Sequence, residues 1–361
     1  MDFTRDDTKL IKGIAICLMM WYHLFAFPLR IAEENTFIPL FRIGETPLAQ
    51  TLGNFGGICI ALFTVLSGYG IYKLSLCSPA RNRYIERHIF GLYKTAWLIF
   101  LLALPLYIYI YAAFGKQIPQ MFLYNFLCLQ STMNREWWYI TPYAILLICF
   151  PYIKRFVERK NSCLLSALFF VLLFHAFLVY ILPTFTNSAL MSDFVSTILW
   201  DNLSLAIGLS PAFAVGCIFA RYDVLANVKR KYGGKPLCVA ASVVAMLAVF
   251  FLRFKNFRQY DWLNAAVFIL CIDVLLNTKL MQLAGKVFIP LGKESTIMWL
   301  THSFLCYYWT FAQRIVYLPK YSPLIFVWFS LLTYILARAI GFLQKVIDRC
   351  LYPTDISSPR S

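Results

Sequence analysis

The sequence predicts an all-α, polytopic membrane protein of about ten transmembrane helices, with its N- and C-termini in the cytoplasm. Three observations carry this reading. The 361 residues are 60% hydrophobic and only 14% charged, whereas soluble domains average about 25% charge. Apolar runs of roughly 20 residues, the length that a span requires, recur along the whole chain. Lysine and arginine collect in alternate connections between those runs, the bias that orients membrane proteins.

In chain order the runs lie at 10–30, 54–73, 92–114, 138–153, 162–183, 197–220, 236–253, 262–279, 289–312 and 322–343. The first holds a single ionisable side chain, His23, between Gly13 and Leu29, with Lys9, Lys12 and Arg30 as flanking charges. The second has Gly53, Gly56, Gly57, Gly68 and Gly70 in or beside it, a composition that lets helices pack closely. Pro105, Pro211 and Pro290 fall in or near later spans, where they kink or start helices. His175, alone in the fifth run, reads as a histidine bonded to a neighbouring helix, and His88, in a basic connection, reads as solvated. Asp201 and Asp273 fall inside spans with no identifiable partner. The eleven cysteines lie mostly within apolar runs, without CxxC or His-paired spacing, and read as small buried hydrophobes with free thiols; no metal site is expected. No internal period repeats, so one membrane-embedded domain is expected over 1–348, followed by a short cytoplasmic tail at 349–361.

The formal charge of +16 suggests a nucleic-acid partner at first sight. With the N-terminus in the cytoplasm, however, 24 of the 33 basic residues fall on the cytoplasmic side. The charge is then orientation, the partner is the lipid bilayer, and no nucleic acid is expected.

The same orientation gives the first span its chemical interest. A titratable group inside a membrane is costly, and marks a functional site by default. Lys12 and His23 are eleven positions apart, about 1100° of helical rotation, so they share a face to within about 20° and are about 16 Å apart along the axis. A cation at the cytoplasmic edge and an imidazole deep in the bilayer suit a ligand with an anionic head and a reactive far end.

Four segments in order resemble the acyltransferase-3 family of multi-span membrane acyltransferases. They are Lys12-x10-His23; the stretch Ala61 to Tyr69, with Phe63, Leu66, Ser67, Gly68 and Tyr69; Glu136-Trp137-Trp138-Tyr139-Ile140, followed by Pro151; and Leu291 to His302. Lys12 stands where the family commonly has arginine, keeping the charge without the bidentate fork. Arg83 and Arg87 are the nearest match to the family's basic pair after the second span, one residue further apart. The resemblance implies transfer of an acetyl or other short acyl group from cytoplasmic acyl-CoA to a hydroxyl of a cell-surface or lipid-linked sugar. It also implies location in a cell membrane, most simply the bacterial cytoplasmic membrane, with acetyl-CoA as donor substrate and no tightly bound cofactor. The expected catalytic residues are His23, as general base, with Glu136 and His302. Lys12, Arg83, Arg87 and Ser67 would bind the donor, and Trp137 and Trp138 the carbohydrate acceptor. The residues agree with this chemistry, because phosphates want cations at the cytoplasmic edge and histidine is the usual base near neutral pH.

A proton-coupled transporter or exporter is the rival reading, because buried His, Asp and Glu also mark proton relays. Transporters generally carry inverted repeats with matched broken helices, and no such symmetry is visible in this sequence. The topology itself is testable by reporter fusions. A fusion after Ser361 is expected to be active in the cytoplasm, and one in the 184–196 connection outside. A fusion after Ser361 that is active only outside would overturn the orientation.

Overall fold

The first helix starts from a local instruction. Thr4 accepts a hydrogen bond from the Asp7 amide at 3.2 Å, and the Asp7 carboxylate accepts one from the Thr4 amide at 2.7 Å, the reciprocal capping box that satisfies two orphan donors. The same carboxylate pairs with Lys229 at 2.6 Å. The computed structural model describes residues 2–77, 83–113, 118–160, 163–188, 191–255 and 257–351. Within them the helices are α1 (Arg5–Phe25), α2 (Leu48–Gly56), α3 (Cys59–Cys77), α4 (Arg83–Ala113), α5 (Ile118–Phe126), α6 (Ile140–Val157), α7 (Leu164–Ala176) and α8 (Leu182–Thr186). The chain continues through α9 (Ser192–Val195), α10 (Ile198–Arg221), α11 (Val224–Tyr232), α12 (Pro236–Phe254), α13 (Asp261–Leu275), α14 (Lys279–Ser303), α15 (Thr310–Tyr317) and α16 (Ser322–Leu351). A two-residue hairpin, β1 (Arg42–Ile43) with β2 (Thr46–Pro47), turns at Gly44 in the left-handed region. With an isolated parallel bridge between Ile38 and Tyr321, it is the only β pairing among the described residues.

Among the described residues, seven helical stretches are long and apolar enough to cross a membrane: Leu48–Cys77, Arg83–Tyr109, Arg135–Val157, Leu164–Thr186, Ile198–Arg221, Pro236–Phe254 and Ser322–Leu351. Each overlaps a predicted span. The predicted runs 262–279 and 289–312 become α13 and a longer α14, which meet at a bend of 116° and qualify only as a pair. The run 10–30 becomes α1, with Lys9, Lys12 and His23 along it, and is not among the seven. Spanning segments among the described residues therefore number seven or eight by length and composition, where ten were expected. Pro105, Pro211 and Pro290 all lie inside helices. The expected tail from 349 is helical as far as Leu351; the rest of it, and Arg81 among the counted basic residues, lie outside the described residues.

The helices are held by backbone contact rather than by bulky side chains alone. A Cβ on Gly13 of α1 would lie 2.0 Å from the Phe288 carbonyl oxygen, and one on Gly292 of α14 would lie 1.8 Å from that of Lys9. The pair α3 and α10 repeats the device, with Gly68 against Phe213 at 2.1 Å and Gly216 against Val65 at 2.0 Å. Without an oil–water contrast between helices in lipid, such close approach is a main source of packing energy. Outside these crossings, Arg253 ties three elements together. Its guanidinium takes both oxygens of Asp261 at 2.7 Å and donates to the carbonyls of Asn54 and Phe55 at 3.0 and 2.6 Å.

Gly68 and Gly70 give a matched test. A side chain on Gly70 meets nothing within 4 Å, whereas one on Gly68 must push α10 away. Overpacking of this kind costs about 1–3 kcal/mol. Gly68→Ala should lower the thermal unfolding midpoint in detergent by several degrees, and Gly70→Ala should leave it unchanged or slightly higher. Equal behaviour of the two variants would contradict the crossing.

Candidate functional site

A cavity of about 480 Å³ opens between α1, α3, α4, α14 and the segment leading into α6. Lys12 and His23 of α1, Ser67 of α3, and Glu136 and Trp138 before α6 all line it. Five residues expected to serve one reaction, drawn from three separate parts of the chain, therefore face one space. Tyr22, Phe63, Tyr139, Tyr143 and Trp299 complete an aromatic wall. Lys12 is half-buried and makes no ion pair among the described residues, so its charge is available to a ligand. Ser67 and Tyr143 line the same cavity.

The other expected residues lie elsewhere. Arg83 and Arg87 are exposed on α4 and do not line the cavity. Their helix instead contributes His88, Gly91 and Thr95, so the residue read as merely solvated is the one that reaches the site. Trp137 is buried, donating its indole N–H to the Leu300 carbonyl at 2.9 Å. It fastens the Glu136 segment to α14, and of the two indoles only that of Trp138 lines the cavity. His302 is also outside the lining, but its ring centroid is 4.6 Å from that of His23.

The two histidines meet because two helices run parallel. α1 and α14 touch at Gly13 and Gly292, and each carries its histidine ten residues further on, about 15 Å along the axis. In His302, Nδ1 lies 2.6 Å from the Trp299 carbonyl. A carbonyl only accepts, so Nδ1 carries the proton, and the neutral ring presents a lone pair on Nε2. That Nε2 is buried with no hydrogen-bond partner among the described residues. In His23 the opposite end is fixed by Tyr307, whose hydroxyl donates to the His23 carbonyl and lies 3.4 Å from His23 Nδ1. With its proton committed, the phenol oxygen can only accept from Nδ1–H. The tautomer that remains carries its basic nitrogen at Nε2.

The family described as an acyltransferase domain matches residues 7–342. The chain belongs to the acyltransferase-3 family. No curated protein and no solved structure matches it. The protein is thus a multi-pass membrane acyltransferase, and the match spans both histidines, all the cavity-lining residues and the Gly13–Gly292 crossing.

In this acyltransferase, the Glu136 carboxylate makes no hydrogen bond to either histidine among the described residues. One carboxylate oxygen pairs with Arg30 at 2.7 Å and the other accepts from the Tyr308 hydroxyl at 3.1 Å. The Arg30 guanidinium also stacks on the Tyr307 ring, 3.5 Å from its centroid. Glu136 therefore reaches His23 through Arg30 and Tyr307, as an anchor for the groups that orient the imidazole. The backbone of Glu136 accepts from the Trp299 indole at 3.0 Å. Gln313, 3% exposed, holds the Arg30 loop by donating to the carbonyls of Arg30 and Cys306 at 3.2 and 2.8 Å and accepting from Ala32 N and Asn35.

Sequence reasoning missed Arg30, Tyr307, Tyr308 and Trp299. For Tyr307 and Tyr308 the reason is the winding of the chain after His302. Phe304–Tyr308 is a π-helix, a rare widening of the turn that is often found at functional sites. Reading onward at 100° per residue sends Tyr307 to the wrong face, so no periodic argument could pair it with His23.

The Arg30–Glu136 pair is testable by a double-mutant cycle. Glu136 is 5% and Arg30 29% exposed at the side chain, so removing one partner strands the other. Each of Arg30→Met and Glu136→Gln should cost about 1–3 kcal/mol of stability. The double variant should cost clearly less than the sum, because contacting residues are not additive. Strict additivity in thermal or denaturant unfolding would show that the two do not act as a pair.

Proposed function

We propose that this acyltransferase moves an acetyl or other short acyl group from cytoplasmic acyl-CoA to a hydroxyl of a cell-surface or lipid-linked sugar, from within the bacterial cytoplasmic membrane. The observation that carries the reading is one cavity lined by both Lys12 and His23. α1, α13 and α14 would each cross the bilayer beside the seven apolar helices, giving ten spans with both termini in the cytoplasm. CoA would keep its phosphates at the cytoplasmic edge near Lys12, with its acyl-pantetheine arm extending along α1 for the roughly 16 Å to His23. Arg83 and Arg87, outside the lining, would act at most as a surface that attracts the polyanionic nucleotide.

In the reaction, His23 Nε2 removes the proton of the acceptor hydroxyl as its oxygen attacks the thioester carbonyl. The carbon–sulfur bond then breaks, CoA leaves as thiolate, and the imidazolium returns the proton to that sulfur. The Tyr307 contact keeps Nδ1 protonated, so that Nε2 is the basic nitrogen. His302 supports the charged ring through its adjacent lone pair, and Ser67 lines the path of the arm close to where oxyanion charge would develop.

A positioned base contributes about 10² to 10⁴ in rate. His23→Ala should therefore abolish transfer from labelled acetyl-CoA while the protein still inserts and binds CoA. His23→Gln, which can hydrogen-bond but is no useful base, should be nearly as inactive. Lys12→Ala should raise the acyl-CoA KM more than it lowers kcat, because it removes binding shared by ground and transition states. Near-normal turnover by His23→Gln would reduce His23 to a structural hydrogen bond. A wild-type protein that never consumes acyl-CoA would favour the transporter reading.

A further inference from the structure

A second cavity, of about 300 Å³, lies beside the first where the chain enters α6 and α10. Trp138 lines both cavities. The remaining wall is polar to a degree that is unusual for this chain, with Gln130, Thr132, Arg135, Asp201 and Asn202 around the indole. Among the described residues, the Arg135 guanidinium, the Asp201 carboxylate and the Gln130 side-chain amide make no hydrogen bond or ion pair with the protein. Asn202 is buried and its position is fixed. Its amide nitrogen donates to the carbonyls of Leu129 and Ile198 at 2.8 and 2.9 Å, which leaves its carbonyl oxygen as an acceptor. Arg135 is held at its backbone, where its N–H donates to Tyr308 at 2.8 Å. The same hydroxyl binds Glu136, so this wall shares a hinge point with the catalytic cluster.

We propose that this cavity is the acceptor subsite and that it takes a neutral pyranoside ring. The proposal rests on the acyl-transfer reading above and adds where the acceptor binds and that the bound unit is a single uncharged ring. An apolar acceptor would leave Asp201, Arg135 and Gln130 desolvated without partners, which costs more than their hydrogen bonds return. A polyol ring offers alternating donors and acceptors on its rim for those groups, and an apolar face for the indole. The wall carries one cation and one anion, so it favours no net charge in its ligand. A volume of about 300 Å³ is at the lower end for small-molecule pockets, roughly 300–1,000 Å³, and suits one sugar unit rather than a polymer. Because Trp138 faces both spaces, a hydroxyl on a ring stacked there projects towards the cavity that contains His23.

The test uses the full chain in lipid nanodiscs with labelled acetyl-CoA and three acceptor probes: methyl β-D-glucopyranoside, its N-acetylated 2-amino counterpart, and 1-hexanol. Asp201→Asn, Gln130→Ala and Arg135→Gln should each raise the glycoside KM about tenfold, the loss of one good hydrogen bond, with the acetyl-CoA KM within twofold of wild type. Glycoside should also slow amide hydrogen exchange in 128–138 and 198–205. Transfer to hexanol but to neither glycoside, or variants with an unaltered glycoside KM, would overturn the subsite while leaving acyl transfer intact. If the wild type consumed no acetyl-CoA at all, the acyl-transfer reading would fail. Hydrogen exchange would then judge the cavity alone, and an absence of glycoside protection would overturn the subsite as well.

Discussion

The architecture depends on one backbone contact. At the crossing of α1 and α14, Gly13 and Gly292 let main chain meet main chain, so close that no Cβ fits on either side. Helices this near and parallel stay in register over the next three turns, which is what brings His23 and His302 to a ring separation of 4.6 Å. A single methyl group at either glycine would separate the helices at the crossing and displace the histidines beyond it. The close packing usual among membrane helices here also sets the geometry of a pair of titratable rings.

Beyond the histidines, the site is closed by groups that lipid cannot solvate and that therefore bond to one another. Arg30, Glu136, Tyr307 and Tyr308 form one cluster, and Gln313 ties it to the loop that carries Arg30. In a medium that strengthens such bonds and penalises any orphan, a cluster of this kind is rigid. Such rigidity fixes the His23 ring in both position and tautomer. Not every buried polar group is so provided for. Asp273 is fully buried and both of its carboxylate oxygens lack a hydrogen-bond partner among the described residues, and nothing in its surroundings gives it a role in the reaction.

Much of the lining of the candidate site was legible in the sequence. His23 was conspicuous as an ionisable group in an apolar run, Lys12 by sharing its face, and Ser67, Glu136 and Trp138 by their local segments; all five face one cavity. Arg83 and Arg87 were not separable from His88 by sequence, because adjacent helical positions differ by 100° and only packing decides which direction is inward. Trp137 and Trp138 posed the same problem at a helix start, where one indole is buried on α14 and its neighbour faces the cavity.

The sequence by itself determined what is local. Apolar run length set the membrane class and most of the helices, capping residues set the start of α1, and glycine placement marked where helices could touch. The tertiary structure alone decided which helices are neighbours and which faces meet. The His23–His302 pair joins residues 279 positions apart through a crossing that neither segment announces. Tyr307 reaches His23 only because the chain leaves α-helical winding after Ser303. Periodicity is a property of one helix, whereas a site belongs to the space between several, and its coordinates follow from their packing angles and from local breaks in regular winding.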